Sequence, residues 1–230
     1  MSEMKWSFAA FLLMLGLAAS CSFWGCAERQ VAQKPIVLSP DLEEIIVVAF
    51  RDMNAGKGEQ INVRCPLSGK VYVSGPVDEN ASTFLTNQLM ASLRAKPGRD
   101  FRLISGGELW DIQAGKGDAG QDMGEWQLVV DAGRALGADA VLVGHIYRYI
   151  ERVGGNLSVE SPASVAFDLH LVRTSDGRVL WTGYFDETQK TLMEDMFDIG
   201  SFFQREGKWV TAEQMSSTGL QDIMEAFQIP

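Results

Sequence analysis

The sequence predicts a single α/β domain with a mixed sheet of about five strands, in the order β-α-β-α-β-β-β-α, after a signal peptide and a short tether. Apolar runs of strand length alternate with amphipathic helical segments in the first half of the chain. Three strand-like segments then follow one another, which is typical of an antiparallel meander. We expect the helices to pack on one face of the sheet.

The first half of the domain contains two strands and two helices. The continuous apolar run Ile45–Phe50, which is mostly β-branched, predicts a strand that is buried on both faces. The next helix places four apolar residues on one side: Phe84, Leu85, Leu89 and Leu93. After a short strand at 101–104, a second helix carries Trp126, Val129, Val130 and Leu136 on one face and ends at Gly137. Gly133 lies within that stripe, where its missing side chain allows close packing on the sheet.

The second half of the domain contains the meander and a last helix. Its three strands are expected at 140–150, 164–171 and 178–186. The middle strand alternates apolar and polar residues, so one face carries Asp168 and His170. This face is expected to be wet, to meet the last helix or to be the face that contacts a partner. The last helix begins at Thr211, which forms a capping box with Gln214.

Composition and charge restrict the range of partners. The 46% of hydrophobic residues and 22% of charged residues are ordinary for a globular protein. The 20 basic and 30 acidic residues give a formal net charge of −10. We expect no nucleic-acid partner, because a negatively charged chain repels phosphate backbones. Three cysteines are too few for a fold that depends on disulfides.

The amino terminus resembles a lipoprotein signal. The apolar run Phe8–Ala19 is too short to span a bilayer and fits the core of a secretory signal. Leu17-Ala18-Ala19-Ser20-Cys21 resembles the lipobox of bacterial lipoproteins, which implies cleavage after Ser20 and acylation of Cys21. An Asp directly after the acylated cysteine would favour the inner membrane. Here that position is Ser22, which favours the periplasmic face of the outer membrane. An ordinary secretory signal and an uncleaved anchor are the alternatives.

These features divide the chain into three predicted parts. Residues 1–20 are the signal peptide, residues 21–41 are a lipidated tether, and residues 42–230 are the periplasmic α/β domain. The tether assignment depends on the segment 27–40, which contains two prolines and has no sustained hydrophobic period.

The spacing of residues in the sequence does not identify a group of catalytic side chains. Neither His145 nor His170 can be placed near Cys65, so no catalytic residue is predicted. If Cys21 is acylated, Cys26 and Cys65 permit one disulfide, and a free structural Cys65 is the alternative.

We expect neither a bound metal nor an organic cofactor. The two histidines and Asp168 fall short of a convincing set of three or four converging ligands, so hydrogen-bonded sheet histidines are predicted without a metal. The segment 115–120 spells G-x-G-x-x-G, but no strand precedes it, and it is interpreted as a loop.

Three phrases resemble one family of periplasmic lipoprotein domains. They are Leu136–Gly144 at a helix-to-strand junction, Arg173–Trp181 at a hairpin, and Ile46–Phe50 at the opening strand. The chain is similar over about residues 44–186 to the superfamily that includes the curli-secretion lipoprotein CsgG, the TolB amino-terminal domain and LpoB, an activator of penicillin-binding proteins. The resemblance implies non-enzymatic roles in assembling a secretion pore or activating a peptidoglycan synthase.

The leading hypothesis is therefore an outer-membrane lipoprotein whose periplasmic domain binds and modulates or scaffolds another envelope protein. A structural subunit of an outer-membrane secretion or polysaccharide-export assembly is one alternative. A periplasmic hydrolase that uses Cys65 or a histidine is another. The identity of the partner stays open, and so does a homo-oligomer.

We expect Cys21→Ala to abolish incorporation of an alkyne-bearing fatty acid, because the diacylglycerol thioether needs the sulfur of that residue. Fluorescence in a gel after coupling of a dye to the alkyne measures the incorporation. Cys26→Ala is the matched control and should label like the unmodified chain. Labelling that persists in Cys21→Ala would contradict the lipoprotein assignment.

Overall fold

A computed structural model describes residues 35–54, 60–96, 98–109, 124–154, 159–189 and 210–228. The predicted signal peptide, Cys21 and Cys26 lie outside these ranges, as does the glycine-rich segment 115–120. Within the described ranges, no helix combines the length and the apolar character that crossing a membrane would require.

The secondary-structure elements are numbered here in chain order. The strands are β1 (Ile36–Val37), β2 (Glu44–Val48), β3 (Arg51–Asp52), β4 (Asn62–Arg64), β5 (Val71–Val73), β6 (Asp100–Ile104), β7 (Ala140–Ile150), β8 (Val153–Gly154), β9 (Val159–Ser161), β10 (Ser164–Arg173), β11 (Val179–Thr188) and β12 (Phe227–Gln228). The helices are α1 (Ala81–Arg94), α2 (Glu125–Ala135) and α3 (Ala212–Glu225).

The main sheet has the strand order β11-β10-β7-β2-β6, and the short strand β3 pairs beside β2 with β7. Strand β2 is parallel to both β6 and β7, whereas β10 is antiparallel to β7 and β11. The sheet is therefore mixed. The predicted fold class and the order of its principal elements are confirmed.

The helices lie on both faces of the sheet, which differs from the predicted arrangement on one face. Helices α1 and α3 cover the face that carries Ile45 and Val47. Helix α2 covers part of the opposite face, against Ile46 and Val48. The cause is visible in β2 itself, because a strand that is apolar on both sides has to be covered on both sides.

The folded domain begins inside the segment predicted as tether. Strand β1 pairs in parallel with β12 at the other end of the chain, with Ile36 opposite Phe227. Leu38 is buried in the core shared with α1 and α3. Residues 36–41 therefore belong to the fold, because the chain end supplies β1 with backbone partners that local sequence does not reveal.

Several local predictions are confirmed. Thr211 Oγ1 accepts a hydrogen bond from the backbone N–H of Gln214, whose side chain accepts one in return from the Thr211 N–H, so the capping box is present. Gly137 follows α2 with a φ of +72°, a conformation that favours glycine. Gly133 lies against the sheet, and a Cβ there would overlap Thr174 and lie 2.8 Å from Val141 Cγ2.

We expect Gly133→Ala to destabilise the domain by about 1–3 kcal/mol, because overpacking at the contact with Thr174 outweighs the gain in helix propensity. Urea unfolding followed by circular dichroism measures the change in the free energy of unfolding. Gly106→Ala is the matched control, since a Cβ at Gly106 meets nothing within 4 Å. An unchanged stability of Gly133→Ala would contradict the close packing of α2.

Candidate functional site

A cluster of polar side chains lies on the sheet face that α2 covers only in part. His145 on β7 stands opposite Asp168 on β10, and His170 lies two residues further along the same side of β10. At the next step the register shifts, with Ala166 opposite Arg148 and Phe167 opposite Ile146. Tyr147 is thus the extra residue of a β-bulge, a feature that redirects side chains.

The hairpin β4–β5 covers this cluster. The ring of Tyr72 on β5 stacks on the ring of Tyr147, with 3.9 Å between centroids and 10° between planes. Cys65, directly after β4, brings its Sγ to 3.2 Å from Nε2 of His170. The backbone N–H of Ser68 donates to the same sulfur at 3.4 Å. The long connection between β3 and α1 therefore delivers the thiol to the histidines.

Asp168 is the centre of the hydrogen-bond network. Its Oδ1 lies 2.9 Å from Nδ1 of His145, and its Oδ2 lies 3.0 Å from Nε2 of His170. The Tyr147 hydroxyl donates to Oδ2 at 2.9 Å. The carboxylate therefore joins β7 to β10 through side chains as well as through the backbone.

An outer set of groups holds the far nitrogen of each imidazole. Nε2 of His145 lies 3.0 Å from Oε1 of Glu125, at the start of α2. Glu125 in turn accepts a hydrogen bond from Arg51. Nδ1 of His170 lies 2.9 Å from the Thr182 hydroxyl oxygen on β11. Helix α2, strand β3 and strand β11 therefore all contribute to the orientation of the two rings.

The cluster carries balanced charges near neutral pH. Burial raises the pKa of the Cys65 thiol, but the imidazoles of His145 and His170 outweigh burial and bring it to about 5. Burial lowers the pKa of His170, yet Asp168 and Cys65 raise it to about 9. The pKa of His145 rises well above its usual value despite burial, because carboxylates lie beside both nitrogens. The imidazoles outweigh burial to hold the pKa of Asp168 below its usual range.

These groups are closed off from solvent. His145, Asp168 and His170 have an exposed fraction of 0%, and Cys65 has 1%. A thiol beside an imidazole that a carboxylate orients is the arrangement of a nucleophile and its base. In the described part of the chain, however, the hairpin lies over these groups, and a substrate would need it to open.

The structure changes the sequence-based assignment of three residues. Asp168 and His170 were predicted as a possible partner face, but the hairpin of the same chain covers both. Cys65, which could not be placed near a histidine by spacing, lies beside His170. Of the two alternatives for Cys65, a disulfide with Cys26 or a free thiol, the structure has the free thiol, and Cys26 lies outside the described residues.

Four potential metal ligands converge in the cluster. One ligand atom from each of Cys65, His145, Asp168 and His170 lies within 4.8 Å of all the others. Sequence reasoning placed Asp168 and His170 on one face and allowed His145 on a neighbouring strand, but it missed Cys65, because only folding brings Cys65 across. It also missed Glu125 and Thr182, whose roles depend on the contacts of α2 and β11 with the cluster.

The hairpin also forms an exposed surface above the cluster. Val71 and Val73 point away from the sheet on β5, with exposed fractions of 49% and 50%. A groove of about 420 Å³ adjoins Val73, and Ile150, Pro162 and Arg148 also line it. Arg148 donates to the carbonyl oxygen of Val73 and forms a 2.7 Å ion pair with Asp186 in the same groove.

No family model matches the chain, and no curated protein matches it. Among solved structures, it is similar to the PelC dodecamer from Paraburkholderia phytofirmans, with 15% identity and a TM-score of 0.48, over 87% of this chain and 97% of that chain.

Two further similar structures are an LpoB domain, which the sequence resemblance also named, and a bacterial lipoprotein. The LpoB C-terminal domain from Salmonella enterica has 18% identity and a TM-score of 0.35, over 64% of this chain and 84% of that chain. Lipoprotein GNA1162 from Neisseria meningitidis has 16% identity and a TM-score of 0.33, over 72% and 99% respectively. At these TM-scores the likeness carries no argument about function, and the resemblance to CsgG and TolB stays a prediction.

We expect Asp168→Asn to lower the free energy of unfolding by about 3–5 kcal/mol, because it removes the buried charge that His145 and His170 share. Urea unfolding at pH 7 measures this loss. The matched control is Asp176→Asn, which alters an exposed ion pair with Arg173 and should change stability little. Equal losses in both variants would show that the buried network is not specifically stabilising.

Proposed function

We propose that this chain is a lipid-anchored protein of the bacterial outer membrane whose periplasmic domain binds another envelope protein and does not catalyse a reaction. The observation that carries the proposal is the position of the hairpin β4–β5. It covers the reactive side chains on its inner side and presents an apolar surface on its outer side.

The inner side of the hairpin favours a binding role over catalysis. Cys65 and His170 have the separation of a catalytic pair, but an attacking sulfur must reach the substrate, and this sulfur is buried. The stack of Tyr72 on Tyr147 and the hydrogen bond from Arg148 to the carbonyl oxygen of Val73 both hold the hairpin against the sheet. With the hairpin held closed over the cluster, the domain is better suited to binding a protein than to catalysis.

The outer side of the hairpin has the properties of a docking surface. Val71 stands opposite Arg64 and Val73 stands opposite Asn62, so apolar and polar side chains alternate across the exposed face. The adjoining groove adds the apolar side chains of Ile150 and Pro162. An apolar centre with polar groups at its margin is typical of protein–protein interfaces, whereas the net charge of −10 disfavours a nucleic acid.

The predicted anchor limits where the partner can be. If Cys21 carries the lipid, the chain from Cys21 to the first described residue, Pro35, spans at most about 50 Å when fully extended. The domain then stays close to the membrane. We therefore infer that the partner presents its binding site within this distance of the outer membrane.

We expect the double variant Val71→Glu/Val73→Glu to lose crosslinking to its envelope partner, because two carboxylates would have to be desolvated in an apolar contact. Crosslinking in cells followed by mass spectrometry identifies the captured protein. Val37→Glu is the matched control, since Val37 is an exposed valine on β1, outside the hairpin surface.

The outcomes separate the candidate functions. Capture of one envelope protein by the unmodified chain and by Val37→Glu, but not by the double variant, supports the proposal. Crosslinks only between copies of this chain would contradict it and favour the structural subunit of an envelope assembly. Equal capture by both variants would contradict the assignment of the hairpin surface.

A further inference from the structure

We propose that the buried cluster is a Zn²⁺ site with four protein ligands: Cys65 Sγ, His145 Nδ1, a carboxylate oxygen of Asp168, and His170 Nε2. The site is independent of the proposed binding function and lies beneath the surface that carries it. Its predicted role is to fasten the hairpin β4–β5 to the sheet.

Three contacts within the ligand set are slightly shorter than the separations in a tetrahedral zinc site, and all four ligand atoms lie within 4.8 Å of one another. Bond lengths of about 2.0–2.3 Å place neighbouring ligand atoms about 3.2–3.7 Å apart in a tetrahedron. Here the sulfur lies 3.2 Å from His170 Nε2, and carboxylate oxygens of Asp168 lie 2.9 Å and 3.0 Å from the two inward nitrogens. At these three contacts, shifts of a few tenths of an ångström would give the tetrahedral separations.

The outer hydrogen bonds orient both imidazoles as metal ligands. Glu125 accepts from Nε2 of His145, which leaves Nδ1 of that ring directed at the cluster. The Thr182 hydroxyl lies 2.9 Å from Nδ1 of His170 and can accept a hydrogen bond from it, which leaves Nε2 directed inward as the ligand atom. A ligating histidine almost always has its second nitrogen held by a carboxylate, a carbonyl or a similar acceptor. Two histidines that meet this condition around one centre are the strongest indication of the site.

Charge balance is also satisfied when a divalent cation replaces the two imidazole protons. A thiolate at Cys65 and a carboxylate at Asp168 contribute two negative charges inside the domain. Two neutral imidazoles and one Zn²⁺ neutralise them completely, and no uncompensated charge remains buried. Ligand thiols and imidazoles lose their protons when a metal binds, so uptake of the ion releases protons to the solvent.

The chemistry of the ligand set selects zinc. Thiolate and imidazole ligands suit zinc, whereas magnesium and calcium prefer sites made of oxygen atoms. The fourth ligand is a carboxylate, in contrast to the weak axial thioether of blue-copper sites. All four positions come from the protein and are buried, which is typical of a structural rather than a catalytic zinc site.

The site joins parts of the chain that are distant in sequence. Cys65 belongs to the hairpin, His145 to β7, and Asp168 and His170 to β10. The sequence-based expectation of no metal depended on two histidines and one carboxylate, and the fold supplies the thiol that was missing. A metal bound at the cluster stabilises the native state, because the unfolded chain does not hold the four ligands together.

The test uses the full chain, isolated in detergent without chelator from cells grown with added Zn²⁺. Elemental analysis should find about one zinc per chain, and Cys65→Ser should remove it. Cys26→Ser is the matched control and should keep the metal. Growth with Co²⁺ should give an intense thiolate-to-cobalt charge-transfer band and the visible bands of tetrahedral cobalt, and both should be absent from Cys65→Ser.

A second variant keeps the test decisive if Cys65→Ser does not fold. Thr182→Val removes the outer acceptor of His170 and should weaken zinc affinity about 10–100-fold, with an unchanged far-ultraviolet circular dichroism spectrum. A folded, unmodified chain that contains no zinc would overturn the proposal. Zinc retained by folded Cys65→Ser would overturn the assignment as well.

Discussion

The carboxylate of Asp168 lies without solvent access between two imidazoles, and its charge has to be compensated where it lies. This requirement determines much of the surrounding structure. His145 and His170 must present a nitrogen to the carboxylate, and Glu125 from α2 and Thr182 from β11 hold their far sides. The β-bulge at Tyr147 adds a third donor to Asp168. One buried charge thereby couples the middle of the sheet to α2 and, through His170, to Cys65 of the hairpin.

The two sides of the hairpin β4–β5 have different roles: the inner side closes the buried cluster, and the outer side forms the proposed docking surface. Its inner side carries Tyr72 and stands beside Cys65, and together they close the cluster. Its outer side carries Val71 and Val73 beside an open groove. A metal in the cluster would make the outer surface more rigid, and a rigid surface loses less conformational entropy when a partner binds. The buried chemistry and the proposed docking surface are thus parts of one local structure, although either can exist without the other.

The sequence allowed the fold to be predicted wherever hydrophobic periodicity was strong. The order of the principal strands and helices, the close packing at Gly133 and the capping box at Thr211 are all confirmed. Period-two alternation also placed Asp168 and His170 on one face of a strand. The placement of helices on one face was wrong, although the two-sided apolar pattern of β2 already pointed to cover on both faces.

By itself, the sequence determined what depends on neighbouring residues: element types, caps, turns, strand faces and the lipobox-like segment that ends at Cys21. The tertiary structure alone decided what depends on residues far apart in the chain. It paired β1 with β12, brought Cys65 to His170 across 105 positions, and buried the polar face that carries Asp168 and His170. The reason is physical: local periodicity specifies which side of an element is apolar. Which distant segment covers that side depends on chain closure and packing, and neither leaves a regular pattern in the sequence.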